Sequence, residues 1–466
     1  MIISIFQQLV RPIFGTFERE EFKKFLRLGL VFATMLGTYW GMRALKKSIF
    51  IGLVGATMEP FGKFVSLVLL VPIVIAYNKL LDHYPREKAY YVLAIVYSIL
   101  LIAFSVTLFF VQASPVVLAA RTGFALWATK GLGFLWYVFV ESFGSVAIAA
   151  FWAIASDTTT PDSAKKGFSF VVALGQMGGI VLPQVLSRIS SILHIETDAL
   201  SLMILSVLAL SLIASMRLFF VRTPQYLLDE FRGSCELKSH TTQDADEPGF
   251  FIGLKLLVTR WYLLGIFVLL SCFEIIVTIF DYNFGLLAGK ALSGAAMSQY
   301  MYSYASLVNT AALVCLLLGV NNITRFLGVS FTLLLMPCIV GAAIFGFLTL
   351  DSLNFLFWLM VGSKAINYAL AGPAMKQLYI PTSRDARFKA QAWIESFGSR
   401  TAKTLGEGFN LTLLPLQATF GAIVGRAKYL MLCGYFGFMI VGVWGVVAFL
   451  VGKRYNRAVK DKTLVC

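Results

Sequence analysis

The chain has 466 residues, of which 58% are hydrophobic and only 14% are charged, and its formal net charge is +15. Soluble domains carry roughly 25% charged residues. The composition therefore excludes a soluble globular protein and indicates a membrane protein whose excess of cations lies in its loops and beside its spans.

Apolar stretches that can cross a bilayer, which takes ~20 residues in a helix, recur along nearly the whole chain. We predict an all-α polytopic membrane protein with twelve transmembrane helices. They lie near residues 28–50, 61–82, 89–112, 131–156, 167–192, 200–221, 260–288, 299–320, 326–349, 353–379, 389–415 and 429–452.

The segments that flank these spans predict an orientation. Before the first span, "FEREEFKKFLR" (Phe17–Arg27) has the pattern of an amphipathic helix on the membrane surface. Lys and Arg are concentrated in the N-terminal segment, in alternate loops and in the C-terminal tail. Because cytoplasmic loops carry the excess of Lys and Arg, we expect both termini in the cytoplasm, which agrees with an even number of spans.

The longest polar stretch, Arg222–Phe250, divides the spans into two sets of six. We predict an N-terminal half at residues 1–221, a cytoplasmic linker at 222–257 and a C-terminal half at 258–466. The loop "SDTTTPDSAKKGF" is echoed by "YIPTSRDARFKAQ" about 220 positions later, which favours an internal duplication. Two six-helix halves around a central site are typical of major-facilitator transporters.

Charged side chains inside the spans are the functional candidates, because each costs about 2.5–3.5 kcal/mol at the bilayer centre. Arg43 and Lys47 share a helix face beside Lys46 at the end of span one. The other members are Lys63, Glu141, Asp281, Lys364, Lys376, Glu395, Arg400, Lys403 and Glu407.

Several of these charged residues can also be explained by a purely structural role. Lys63 and Lys376 can snorkel to an interface, and Glu141 can form a structural ion pair. Lys403 and Glu407 are within helical reach, so span eleven can neutralise itself.

A functional explanation is a multiply charged anionic substrate. Lys and Arg bind phosphate as a point charge and as a bidentate fork, respectively. Glu141 and Asp281 can hold the cations apart in an empty site or carry a proton. Aromatic side chains nearby can stack on a base: Tyr39, Trp40, Tyr137 and Tyr368.

The sequence contains no pattern that predicts an enzyme. It has no Walker-type glycine loop and no nucleophilic side chain paired with a general base. Its three histidines are too dispersed for a metal site. The six cysteines have no paired spacing. We therefore expect no catalytic residues, no metal and no cofactor.

Five segments, in order along the chain, resemble the nucleotide transporter family of plastids and obligate intracellular bacteria, the bacterial-type ADP,ATP carriers. They are "RALKKSIF" with "GATMEPFGKF", "YNKLLDHYPREKAYY", "VESFGSVAIAAFWAIASDTTTPDSAKK", "SKAINYALAGPAMKQLYIP" and "KAQAWIESFGSRTAKTLG". The resemblance implies twelve spans and transport of adenine or other nucleotides, either by exchange of ATP for ADP or by proton-coupled uptake.

The resemblance also implies that four functional charges fall on Lys46, Glu141, Asp281 and Lys403. Two positions depart from the family. Lys47 stands where the family has Asp, and Leu405 with Gly406 stands where it has Gly-Gly. These departures leave another nucleotide or another anion open as the substrate.

Ten residues form the predicted substrate-binding set: Arg43, Lys46, Lys47, Lys63, Glu141, Asp281, Asn367, Tyr368, Arg400 and Lys403. We expect a monomer in the lipid bilayer of a bacterial inner membrane that moves nucleotides by alternating access and binds no nucleic acid. The alternatives are a porter for another phosphorylated or organic anion, and a non-transporting receptor of the same fold.

The pentapeptide ESFGS occurs twice, at Glu141–Ser145 and at Glu395–Ser399. The two copies fall in spans four and eleven, which are not equivalent in a duplicated fold. We therefore interpret the repeat as coincidence. Glu141 is predicted to be functional, and Glu395 is predicted to pair with Arg400.

Overall fold

The structure is a computed structural model that describes residues 16–112, 122–159, 161–192, 198–228, 250–318, 328–350, 352–367, 372–382, 391–394, 398–461 and 463–465. Within these ranges the regular elements are helices, and no strand is present. The predicted all-α fold class is confirmed.

The chain forms two compact units, which are described separately. The first contains Met1–Asp244 and Gly289–Leu313. Its helices before residue 244 are α1 (Arg19–Leu53), α2 (Glu59–His83), α3 (Arg86–Gln112), α4 (Phe124–Ser142), α5 (Ile148–Asp157), α6 (Pro161–Ile192) and α7 (Ala199–Arg222). Helix α1 packs on α4, α6 and α7.

The second unit contains Ala245–Ala288 and Val314–Cys466. The helices from residue 250 onward are α8 (Phe250–Thr259), α9 (Trp261–Ala291), α10 (Gly294–Leu317), α11 (Val329–Leu350), α12 (Leu353–Ile366), α13 (Gly372–Gln377), α14 (Gln391–Trp393), α15 (Ser399–Asn410), α16 (Leu413–Phe420) and α17 (Ala422–Asp461). Most of α10 belongs to the first unit. The predicted division into halves at residues 221 and 258 remains a prediction.

Helix α1 is longer than predicted. Glu18 caps its first turn, and its backbone N–H donates to the Glu21 carboxylate at 3.3 Å in a capping box. The predicted surface helix is thus continuous with the first span, since no helix breaker separates the two. Phe22 and Phe25 are fully buried, and Phe22 stacks on Phe170 of α6 at 5.5 Å. Aromatic packing on α6, rather than the membrane surface, accounts for the apolar face of this segment.

Nine helices within the described ranges are long and apolar enough to cross a membrane. They correspond to predicted spans two to nine and twelve. Helix α1 is not among them, because its membrane half is rich in Gly, Thr and aromatic residues and ends in three cations. The predicted spans ten and eleven contain shorter helices, α12 to α15. The number twelve therefore stays a prediction.

Candidate functional site

The first charge cluster lies on α1 and α4. Lys46 Nζ is 2.5 Å from Glu141 Oε1, and it also lies 4.3 Å from the centroid of the Tyr137 ring. The lysine side chain is 11% exposed and the glutamate 37%. The Lys46 ammonium group is held by one carboxylate and one aromatic face. It can bind a phosphate when the carboxylate moves away.

A local irregularity of α4 positions Glu141. Directly after α4, Phe143–Ala147 form a π-helical turn that continues into α5, and such turns are frequent at functional sites. A Cβ on Gly144 would lie 2.5 Å from the Tyr39 ring of α1. Glycine in the first ESFGS copy thus permits the close approach of α1 that brings Lys46 to Glu141.

Arg43 adds a second cation on α1. Its guanidinium lies 5.0 Å from the Trp40 ring and 5.9 Å from the Tyr39 ring, and its Nη1 donates to Tyr39 Oη at 3.0 Å. The aromatic faces contact the guanidinium group through cation–π interactions. The fork of N–H donors on a guanidinium matches the geometry of a phosphate. Two of the predicted base-stacking residues, Tyr39 and Trp40, thus contact a predicted phosphate ligand.

Lys47 faces a different carboxylate from its neighbour. Its Nζ is 3.5 Å from Glu59 Oε1 at the start of α2, and both side chains are buried. Lys63, four residues after Glu59 on α2, is half-buried. Glu59 was not among the predicted residues, although a carboxylate in "GATMEPFGKF" beside a cation-rich span indicates it. Adjacent lysines are tolerated here because each one faces a glutamate.

The second charge cluster lies on α9 and α15 in the second unit. Lys403 Nζ is 3.6 Å from Glu274 Oε1, and Ser399 Oγ donates to the same oxygen at 2.9 Å. Lys403 is 50% exposed and Glu274 16%. Glu274 was not among the predicted residues either. It stands in the apolar run "SCFEIIVTIFDYN" seven residues before Asp281, and a carboxylate in an apolar run is the same signal that identified Glu141.

The charged side chains of α15 could be neutralised within the helix or by a neighbouring helix, and their contacts distinguish the two. Lys403 pairs with Glu274 of α9, whereas Glu407 accepts a hydrogen bond from Asn410 at 2.9 Å. The alternative that Lys403 is neutralised by Glu407 is therefore wrong. Helix packing places the carboxylate of a neighbouring helix closer to Lys403 than the one a turn away.

The remaining predicted residues are more dispersed. Asp281 is half-buried on α9, seven residues after Glu274, and Arg400 is exposed on α15. Asn367 lines a cavity of about 170 Å³ together with Lys376 and Tyr379. Tyr368 and Glu395 lie outside the described residues. In the part of the chain that the structure describes, no group of His, Cys, Asp and Glu could hold a metal ion.

Comparison with known proteins identifies the fold and the family. Two solved transporters share the helical fold at a TM-score of 0.59. They are the nucleoside transporter NupG (13% identity, 91% of this chain and 99% of that chain) and a bacterial homologue of the iron transporter ferroportin (13% identity, 92% and 98%). The fold is of the major-facilitator type.

The sequence relatives of this chain are also transport proteins. ADP,ATP carrier protein 1 of Rickettsia bellii (strain RML369-C) is 25% identical over 515 aligned positions, which cover 98% of each chain. The family model described as TLC ATP/ADP transporter matches residues 3–455. The chain is therefore an integral membrane transport protein rather than an enzyme, and it belongs to the TLC ATP/ADP transporter family.

Proposed function

We propose that this protein exchanges nucleotides, ATP against ADP, across a bacterial inner membrane, as a monomer with both termini in the cytoplasm. Its membership of the TLC family and the names of its relatives support a nucleotide as the substrate. The single observation that carries the assignment to residues is the Lys46–Glu141 pair, in which a shielded cation is covered by a more exposed carboxylate.

The pair supports an exchange of one anion for another. Glu141 balances the charge of Lys46 at 2.5 Å. A terminal phosphate that enters the site takes the place of the carboxylate at the ammonium group, so Lys46 does not remain without a counter-ion. Charge-assisted hydrogen bonds are about twice as strong as neutral ones, and a polyphosphate brings more charge than Glu141 does.

The neighbours of Lys46 define the rest of the nucleotide contact. Arg43 binds a further phosphate oxygen through its fork, and the rings of Tyr39 and Trp40 beside it offer a stacking surface for the base. Lys47 stays in the proposed site as a source of positive potential. Because it is buried against Glu59, we expect its direct contact with phosphate to be weaker than that of Lys46.

Lys403 supplies the corresponding cation in the second unit. Its half-exposed side chain can bind a phosphate oxygen without first losing Glu274, which Ser399 also stabilises. We propose that Glu274 has the charge-balancing role that the sequence analysis gave to Asp281. Asp281, Arg400, Asn367 and Lys63 remain proposed members of the wider site.

Counterflow in proteoliposomes tests this function. Vesicles that contain the purified full-length protein are loaded with ADP, and uptake of labelled ATP is measured with and without competitors. We expect uptake only into loaded vesicles, with competition by ATP and ADP and little competition by phosphate or sugar phosphates. Binding without uptake would indicate a receptor. Stronger competition by a sugar phosphate or another anion would overturn the substrate assignment.

A further inference from the structure

The cavity that Asn367 lines in the second unit is largely apolar, unlike either of the two charge clusters. Its volume is about 170 Å³. Most of its lining comes from α9, α11 and α17, through the side chains of Leu269, Leu270, Phe273, Leu333, Met336 and Trp444. A polar group in such a lining loses its hydration and gains few hydrogen bonds in return. The lining therefore suits a hydrocarbon chain.

Lys376 on α13 is the cation of this cavity. It lies on the lining and is exposed, so the cavity reaches the surface of the second unit at this lysine. Lys46, Lys47 and Lys403 each face a carboxylate. Among the described residues, by contrast, no carboxylate forms an ion pair with Lys376. Its ammonium group is therefore available to an anion from outside the chain.

Two hydrogen bonds show which end of the unit carries Lys376. Tyr262 Oη, at the start of α9, donates to Leu378 O at 2.9 Å. The backbone N–H of Val465, after the end of α17, donates to Pro381 O at 2.8 Å. The start of α9 and the end of α17 thus lie beside the segment that follows Lys376.

The apolar part of the cavity lies deeper than this end. Leu269 is eight residues after Trp261, where α9 begins, and Trp444 is nine residues before Lys453, where charged residues resume on α17. At 1.5 Å per residue, both side chains are about 12–14 Å inside the end of the unit. The headgroup layer of a bilayer is only about 5–8 Å thick on each side. The cavity therefore lies at the depth of the acyl chains, with Lys376 nearer the headgroups.

The end of the unit that carries Lys376 is basic. Its segments 260–262, 372–382 and 450–461 contain one described carboxylate, Asp461. Their exposed cations are Arg260, Lys376, Lys453, Arg454, Arg457 and Lys460. Basic pockets between transmembrane helices bind anionic lipid headgroups. The charge of this end thus favours an anionic phospholipid over a zwitterionic one, whose choline group the neighbouring cations repel.

We propose that this cavity is a binding site for an anionic phospholipid, with an acyl chain against the apolar lining and the lipid phosphate at Lys376. The site is separate from the Lys403–Glu274 pair, and the proposal does not depend on the proposed nucleotide function. Because Asn367 belongs to the predicted substrate-binding set and also lines the cavity, a nucleotide is the competing occupant.

Trp444 provides a local reporter for the test. Its side chain is only 3% exposed, so lipids around the protein do not reach it, whereas a chain in the cavity contacts it. The full-length protein is reconstituted in vesicles of phosphatidylcholine with a minor fraction of phosphatidylglycerol, and then in vesicles with the fractions reversed. In each case the minor lipid carries bromine on its acyl chains, which quenches tryptophan on contact. The fluorescence of Trp444 is the difference between the protein and its Trp444→Phe variant.

We expect brominated phosphatidylglycerol to quench Trp444 more strongly than the same fraction of brominated phosphatidylcholine. In Lys376→Gln this preference should fall by about fivefold, the effect of one cation beside anionic headgroups. Lys453→Gln is the matched control, because it removes the same charge at the same end of the unit but does not line the cavity. It should retain the preference. Leu270→Phe fills part of the cavity and should reduce quenching by both lipids.

Three results would overturn the proposal. The first is equal quenching of Trp444 by the two lipids, and the second is an equal loss of preference in Lys376→Gln and Lys453→Gln, which would show attraction to the basic surface alone. The third is relief of the quenching by ATP, which would assign the cavity to the nucleotide. If Trp444→Phe does not fold, native mass spectrometry counts the phosphatidylglycerol molecules retained by each lysine variant. We expect fewer on Lys376→Gln than on Lys453→Gln, and equal numbers would contradict the site. Failure of ATP exchange would leave these results unchanged, so the two proposals fail separately.

Discussion

The pair Lys46–Glu141 in the first unit and the pair Lys403–Glu274 in the second have opposite exposures. In the first pair the lysine is 11% exposed and its carboxylate 37%, at a separation of 2.5 Å. In the second pair the lysine is 50% exposed and its carboxylate 16%, at 3.6 Å. The proposed function therefore predicts that an anion reaches Lys403 without displacing its partner, whereas at Lys46 it meets the carboxylate first.

Under the proposed function, this difference in exposure predicts separate roles for the two charge pairs. Binding at Lys46 requires the loss of an existing ion pair, so it selects ligands whose charge exceeds that of one carboxylate. Binding at Lys403 adds a contact at a half-exposed cation, where solvent weakens the interaction. Selectivity for polyphosphates is thus expected from the first unit, and a smaller gain in affinity from the second.

Loss of the first pair should have the largest effect. Lys46→Ala and Glu141→Ala are each expected to abolish ATP/ADP exchange in proteoliposomes, because one removes the phosphate ligand and the other leaves a shielded lysine without its counter-ion. Lys23→Ala is the matched control, since Lys23 and Glu20 are also 2.5 Å apart but form a surface pair within one helical turn, a kind of pair that contributes little to stability. Normal exchange in both variants, with normal amounts in the membrane, would remove this site assignment.

Loss of the second pair should have a smaller effect. Lys403→Ala is expected to weaken ATP binding by about tenfold, the lower end for a lost charge-assisted hydrogen bond, while exchange continues at higher substrate concentration. The measurement is the concentration dependence of ATP uptake in loaded vesicles. A complete loss of exchange at saturating ATP would show that the two pairs are equally essential and that the comparison of their exposures is misleading.

The sequence predicted the cations better than their partners. Lys46 and Glu141 were identified because a charge in an apolar run is conspicuous, and the structure brings them together. Glu274 carried the same signal and was overlooked in favour of Asp281 on the same helix. The partner of Lys403 could not be found by spacing along α15, because the packing of α9 on α15 determines it.

The fold was predictable to a similar degree. Long apolar runs predicted an all-α membrane protein, and the fold of the two solved transporters agrees. The continuous helix Arg19–Leu53 was not predicted. Its first turns have the composition of a surface helix, and only the aromatic contacts of Phe22 and Phe25 show that they are buried in the protein. Amphipathicity indicates that one face is covered, but not what covers it.

The central claim is that Lys46 binds the phosphate of a nucleotide, and the most direct measurement compares ligands that differ only in phosphate number. Binding of ATP, ADP, AMP and adenosine is measured by calorimetry for wild type, Lys46→Ala and Lys23→Ala. In Lys46→Ala we predict that ATP and ADP bind about 10- to 150-fold more weakly, equivalent to about 1.5–3 kcal/mol for a lost charged hydrogen bond, while adenosine binds as in wild type. An equal loss for adenosine and ATP would contradict the claim.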